Sequence, residues 1–227
     1  MKILKKYFIT WYIPILFYLI PYLIFQLGMI LKKDEIIDLS LAIFYLNILG
    51  NFISAVVQIV IKKWYFLFPQ IMVSAFLFFS VSMYLAFSPP DFYGANKVIP
   101  KNIKFEIPAE KELTQKDLKQ NDFRLAELSQ PGIYNFYTNH QPKESGYFYI
   151  KAFEITSNDR LSENRITEHS KIVVEKPDTK IYTGDFTIYE GSWDDQYGAR
   201  IELWYHPNSS SEYKIKQKNY IIEGWMR

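Results

Sequence analysis

The chain has 227 residues, 49% of them hydrophobic, with a formal net charge of +2 and no cysteine. The missing thiols exclude disulfides, thiolate metal sites and thiol nucleophiles. Seven of the 26 basic and three of the 24 acidic residues lie in 1–88, which leaves 19 basic and 21 acidic residues in 89–227; this split fits membrane anchoring and gives no support to a nucleic-acid partner.

The first apolar stretch, 7–31, follows Lys2, Lys5 and Lys6. It is longer than the roughly 7–15 apolar residues of a signal peptide, and no small-residue cleavage site follows, so it predicts an uncleaved span. Pro14 and Pro21 predict a kink within it. The second stretch, 36–61, carries Ser40, Asn47, Asn51, Ser54 and Gln58 at spacings of seven, four, three and four. That spacing puts them on one helical stripe. Such a stripe serves either a polar pathway or helix–helix packing. Packing is the reading favoured here, because no ionisable residue lies deep in any span. The third stretch, 64–87, is uncharged and ends at Ser88-Pro89-Pro90, where proline stops the helix.

Five lysines flank one side of these spans (Lys2, Lys5, Lys6, Lys62, Lys63) and two the other (Lys32, Lys33). The bias predicts a multi-pass protein of the cytoplasmic membrane, with its amino terminus inside and residues after 88 outside. Trp11, Tyr12, Trp64 and Tyr65 then form an aromatic belt at the inner interface.

Residues 89–108, with Pro89, Pro90, Pro100 and Pro108, predict a stiff linker. Residues 109–121 are good helix formers with Leu113 and Leu118 as their apolar positions, and predict a short exposed helix. From Phe123 onward, runs rich in Ile, Tyr, Phe, Val and Thr alternate with Gly, Pro, Asn and Asp. They predict strands near 123–128, 132–138, 146–156, 170–175, 181–190, 199–206, 212–217 and 219–225, with a helical turn near 159–164. The expected fold is three transmembrane helices followed by an antiparallel, jelly-roll-like β-sandwich over 109–227.

The richest local feature is the loop between the strands ending near 190 and starting near 199. It combines Glu190, Trp193, Asp194, Asp195 and Tyr197. Aromatic rings beside carboxylates suit a glycan or peptide ligand. The structural alternative, favoured here, has Trp193 plugging the end of the sandwich. Asp194 and Asp195 suggest Ca²⁺ only weakly, since the spaced acidic ladder of an EF-hand is missing, and no metal or cofactor is expected. His140, His169 and His206 show no ligand spacing. G-x-S-x-G, GxGxxG and the P-loop are absent. A glycosidase would need a pair such as Glu154 and Glu190 to meet in space.

Three functions follow as expectations. The first is a membrane-anchored binding or assembly module for a glycan or protein. The second is a structural subunit docking on another membrane protein, or on its own copy, through the stripe. The third is a hydrolase built on the sandwich.

Overall fold

A computed structural model describes residues 2–176, 178 and 180–225. The chain divides at Pro90–Asp91 into two compact units.

The first unit is helical. Its elements are α1 (Lys2–Ile9), α2 (Ile13–Leu16), α3 (Leu19–Leu31), α4 (Asp34–Val60) and α5 (Leu67–Phe87), with a 3₁₀ turn at Trp64–Phe66 leading into α5. Ile13–Leu31, Asp34–Val60 and Trp64–Phe87 are each long and apolar enough to cross a membrane. The first stretch is broken into pieces by its two prolines. Proline clashes with the carbonyl four residues earlier. Thr10 precedes Pro14 by four and Phe17 precedes Pro21 by four, and the chain leaves the α-helix at both places.

Such breaks free carbonyls that lipid cannot satisfy. The polar stripe of α4 supplies the donors. Asn47 Nδ2 donates to Pro14 O at 3.0 Å, Ser54 Oγ to Phe8 O at 3.0 Å, and Gln58 Nε2 to Ile9 O at 2.8 Å. Ser40 Oγ donates to Pro21 O at 2.7 Å. From α5, Gln70 Nε2 donates to Trp11 O and to Ser54 Oγ, both at 3.0 Å. Asn51 Nδ2 reaches Gln70 O at 3.1 Å and also Ser74 Oγ. All five stripe residues are buried, and all five bond within the chain.

The second unit is built on antiparallel sheets. Its strands are β1 (Phe123–Ala126), β2 (Ile133–Thr138), β3 (Gly146–Glu154), β4 (Arg160–Leu161), β5 (Ile172–Val174), β6 (Tyr182–Thr187), β7 (Tyr197–Pro207) and β8 (Tyr213–Ile222), with one helix, α6 (Glu163–His169). One sheet runs β1-β2-β6. The other runs β4-β3-β7-β8, with β5 also on β3. The longest pairings are β3 with β7, from Gly146↔Pro207 to Glu154↔Ala199, and β7 with β8. Period-two burial along β7 sends Ile201, Leu203 and Tyr205 into the core, where Phe148 and Ile150 of β3 meet Phe123, Tyr134, Phe136 and Phe186 of the smaller sheet. Rings from both sheets touch: Phe148 lies 4.9 Å from Tyr182 and Phe123 lies 6.5 Å from Tyr220, centroid to centroid.

Several local expectations are corrected. Residues 109–121 hold only a 3₁₀ turn, Gln115–Asp117, closed by a Thr114–Asp117 capping box. Leu113 and Leu118 are five apart, too far for one helical face, and instead pack with Ala126 and Tyr137 in a satellite core. The strands expected at 212–217 and 219–225 are one continuous β8. The helical turn expected near 159–164 is the short β4 over Arg160–Leu161, and α6 begins at Glu163 within that range and runs on to His169.

The segment 89–108 is not a free linker along its length. Phe92 is buried, and a Cβ on Gly94 would stand 2.2 Å from Asp195 O, so only glycine allows this approach. Further on, Glu106 exchanges hydrogen bonds with Asn219 and Ile221 of β8, while Ala109 exchanges them with Leu125 of β1 and with Glu127. Residues 106–109 therefore clip the edge of one sheet to the edge of the other.

Candidate functional site

The loop after β6 is held by carboxylates. Asp91 accepts the Tyr93 N–H at 2.9 Å and the Gly191 N–H at 3.0 Å, and its carbonyl accepts Ser192 Oγ at 2.7 Å. Glu190 accepts the Ser162 N–H at 2.8 Å and Ser162 Oγ at 2.6 Å. Glu223, just past β8, accepts the Asp194 N–H at 2.7 Å. Asp195 is buried and Asp194 is open, with a left-handed backbone at φ 66.

The expected plug is corrected. Trp193 is 38% exposed, and Tyr197 fills the core instead, with its hydroxyl donating to Glu190 O at 2.8 Å. The loop thus brings Glu190, Asp91 and Tyr197 together as a scaffold and leaves Trp193 and Asp194 towards solvent.

Beside this loop lies a cleft of about 260 Å³, lined by Glu110, Glu127, Tyr134, Gln196 and Glu223, with Ile107 and Pro108 on its rim. Residues 107–110, the end of β1, Tyr134 of β2, Gln196 before β7 and the end of β8 build it. Tyr134 fixes its floor, donating to Glu223 O at 3.1 Å and accepting the Glu223 N–H at 2.9 Å. Burial, then the nearby Glu223 and Glu110 charges, push the Glu127 carboxyl above the usual carboxylate range, against a lowering bond from Tyr134.

Among the described residues none of the three glutamates meets a lysine or arginine. By contrast Glu202 meets Arg200 at 2.9 Å, Glu212 meets Lys151 at 2.8 Å, and Asp122 meets Lys216 at 3.1 Å. No signal in the sequence marks this cleft. Glu110, Glu127 and Glu223 are far apart in the chain, and only the clip and the strand ends bring them to one place.

Elsewhere, Glu154 is fully buried and bound by Thr156 and Ser157, with the Ser157 N–H at 2.5 Å. Glu154 and Glu190 have separate hydrogen-bond partners. The His206 ring lies 5.1 Å from the Tyr147 ring on the outer face of the larger sheet, and His140 packs 6.4 Å from Phe148. His169 ends α6. Among the described residues no group of three or more His, Asp or Glu is arranged to hold a metal ion.

No protein-family model and no curated protein matches the chain. Among solved structures a similarity is found to a "Putative Lipoprotein from Bacillus anthracis", 10% identical, covering 57% of this chain and 99% of the other, with a TM-score of 0.31. A likeness at that score carries no inference about fold or function.

Proposed function

We propose that the chain is a membrane-anchored binding module. In this proposal three spans hold residues 91–225, folded as a β-sandwich, on the outer side of the cytoplasmic membrane. The Glu110–Glu127–Glu223 cleft takes a basic group of a protein ligand. The observation that carries this reading is three carboxylates around one cleft that meet no lysine or arginine among the described residues. The orientation rests on the five-to-two lysine bias. A subunit docking through the α4 stripe is less favoured, because those side chains already bond inside the chain. A glycan ligand is the second reading, favoured by the half-exposed Trp193 next to Asp194.

The test uses the full chain in nanodiscs of zwitterionic lipid, titrated with tri-lysine. Binding is expected to be saturable and to weaken about tenfold, ~1.4 kcal/mol, in Glu127→Gln. The pH dependence has a defined sign. A carboxyl raised in the folded state holds its proton longer than in the unfolded chain, so the bare domain loses stability as pH rises from the usual carboxylate value through the raised one. A bound cation favours the ionised form, so tri-lysine affinity should rise across that same window. Absence of tri-lysine binding sinks this reading. Binding of chitotriose that is lost in Trp193→Ala and kept in Glu127→Gln moves the ligand class to glycan.

A further inference from the structure

On the other side of Ile107, which is 75% exposed, lies a second and larger cavity of about 520 Å³. Four cations line it: Lys119 from the segment before β1, Arg124 from β1, and Lys216 and Lys218 from β8. Its three acids are already engaged. Asp122 binds Lys216 at 3.1 Å and Lys218 at 3.2 Å, and Glu106 binds Lys218 at 3.1 Å. Asp117 is turned back onto Thr114, accepting its N–H at 2.9 Å and its hydroxyl at 2.7 Å, with Lys111 at 3.5 Å.

The cations are less fully used. Among the described residues Lys119 Nζ meets no acceptor, and the Arg124 guanidinium makes a single bond, from Nη1 to the Asp117 carbonyl at 3.3 Å. The Tyr220 hydroxyl, in a residue 1% exposed, makes no close hydrogen bond among the described residues, and the Leu125 backbone N–H is near enough to act on it. The hydroxyl lies close enough to Glu106, Arg124 and Asp122 for their charges to act on it.

Guarding the outer edge of β8 explains part of this arrangement. Lysines on an edge strand deter pairing with another chain, and Lys216 and Lys218 also tie β8 to Asp122. That role does not use Lys119, nor the remaining N–H groups of Arg124. A guanidinium with open donors, flanked by ammonium groups arriving from separate elements, suits an anion that offers several oxygens in different directions. A phosphate does so; a lone carboxylate offers one edge. We propose that this cavity binds a phosphate group, borne either by a soluble ester or by a lipid head group.

The experiment again uses the full chain. In zwitterionic nanodiscs, glycerol 3-phosphate is titrated by calorimetry. In separate nanodiscs containing phosphatidylglycerol, the Arg124 Nε–H resonance is compared with its position in zwitterionic ones. Saturable binding of the ester, weakened about tenfold in Arg124→Gln and in Lys119→Gln and reduced by added salt, supports a soluble ligand. An Arg124 shift in phosphatidylglycerol without any ester, lost in Lys119→Gln, supports a lipid. Lys119 is exposed, so its substitution keeps the fold should Arg124→Gln lose it. Glu127→Gln should leave both readouts unchanged, which separates this site from the acidic cleft. No calorimetric binding together with no resonance shift overturns the proposal.

Discussion

Tyr197 anchors the loop that carries Trp193. Its ring is fully buried, its edge meets Tyr93 with centroids 5.5 Å apart, and its hydroxyl has a partner in Glu190 O. Truncating a buried aromatic of this size removes transfer energy and leaves a cavity. Tyr197→Ala should therefore cost about 3–5 kcal/mol, while Trp193→Ala should cost about 1 kcal/mol or less. Thermal unfolding of the full chain, followed by the β signal in circular dichroism, checks both; equal losses would show that Trp193 is structural after all. At this scale the loop composition was readable, but the division of labour inside it was not. Period two through β7 begins at Tyr197, two residues before the strand expected from the sequence, and that extension turns Tyr197 inward. Trp193, four residues earlier and beyond the strand, lies outside the alternation and stays open.

The elements divide by how local their causes are. Apolar runs and the alternation in β7 depend on nearby residues, and both were legible. The breaks at Thr10 and Phe17 follow from the two prolines. The path of 106–118 depends on distant edges of two sheets, so helix-forming composition misled there; tertiary pairing with Leu125 and Asn219 overrode a weak propensity. The acidic cleft was hidden for the same reason. The helix breaks and the stripe can be tested as one element. Pro14→Ala should heal the first break, letting the Tyr12 N–H meet Phe8 O and making the Ser54 Oγ bond to that carbonyl unnecessary. In a double-mutant cycle, Ser54→Ala should then cost less in the Pro14→Ala background than in the native one, by about 0.5–1.5 kcal/mol. Steric-trapping measurements in detergent provide the energies. Strict additivity would show that the stripe serves helix packing without serving the break.

For the whole molecule, the change of composition at Ser88 was plain in the sequence; the two compact units part at Pro90–Asp91, with residues 91–108, expected as a linker, inside the β unit. The side of the membrane on which the β unit lies is the proposal with the widest consequence, since it selects the ligands that can reach either cavity. The chain has no cysteine, so single ones report without background. With Lys63→Cys and Ser210→Cys, an impermeant thiol reagent on intact cells should label position 210 and spare position 63, once any outer envelope is opened. Labelling in the reverse pattern would place both cavities in the cytoplasm and remove an outer-surface ligand from consideration.

The interlock between the first broken helix and its donors also has a consequence in time. Phe8 O is met by Ser54 and Gln58, 46 and 50 residues later, and Trp11 O by Gln70, 59 residues later. At a synthesis rate of about 5–20 residues per second, the last of these donors leaves the ribosome roughly 3–12 s after its acceptor. During that interval the amino-terminal segment has backbone carbonyls that lipid cannot satisfy. In a chain anchored as proposed, that segment must wait in a wet or proteinaceous place until α4 and α5 arrive. Its release into the bilayer is then a concerted event of the whole helical unit and not the first of three independent insertions.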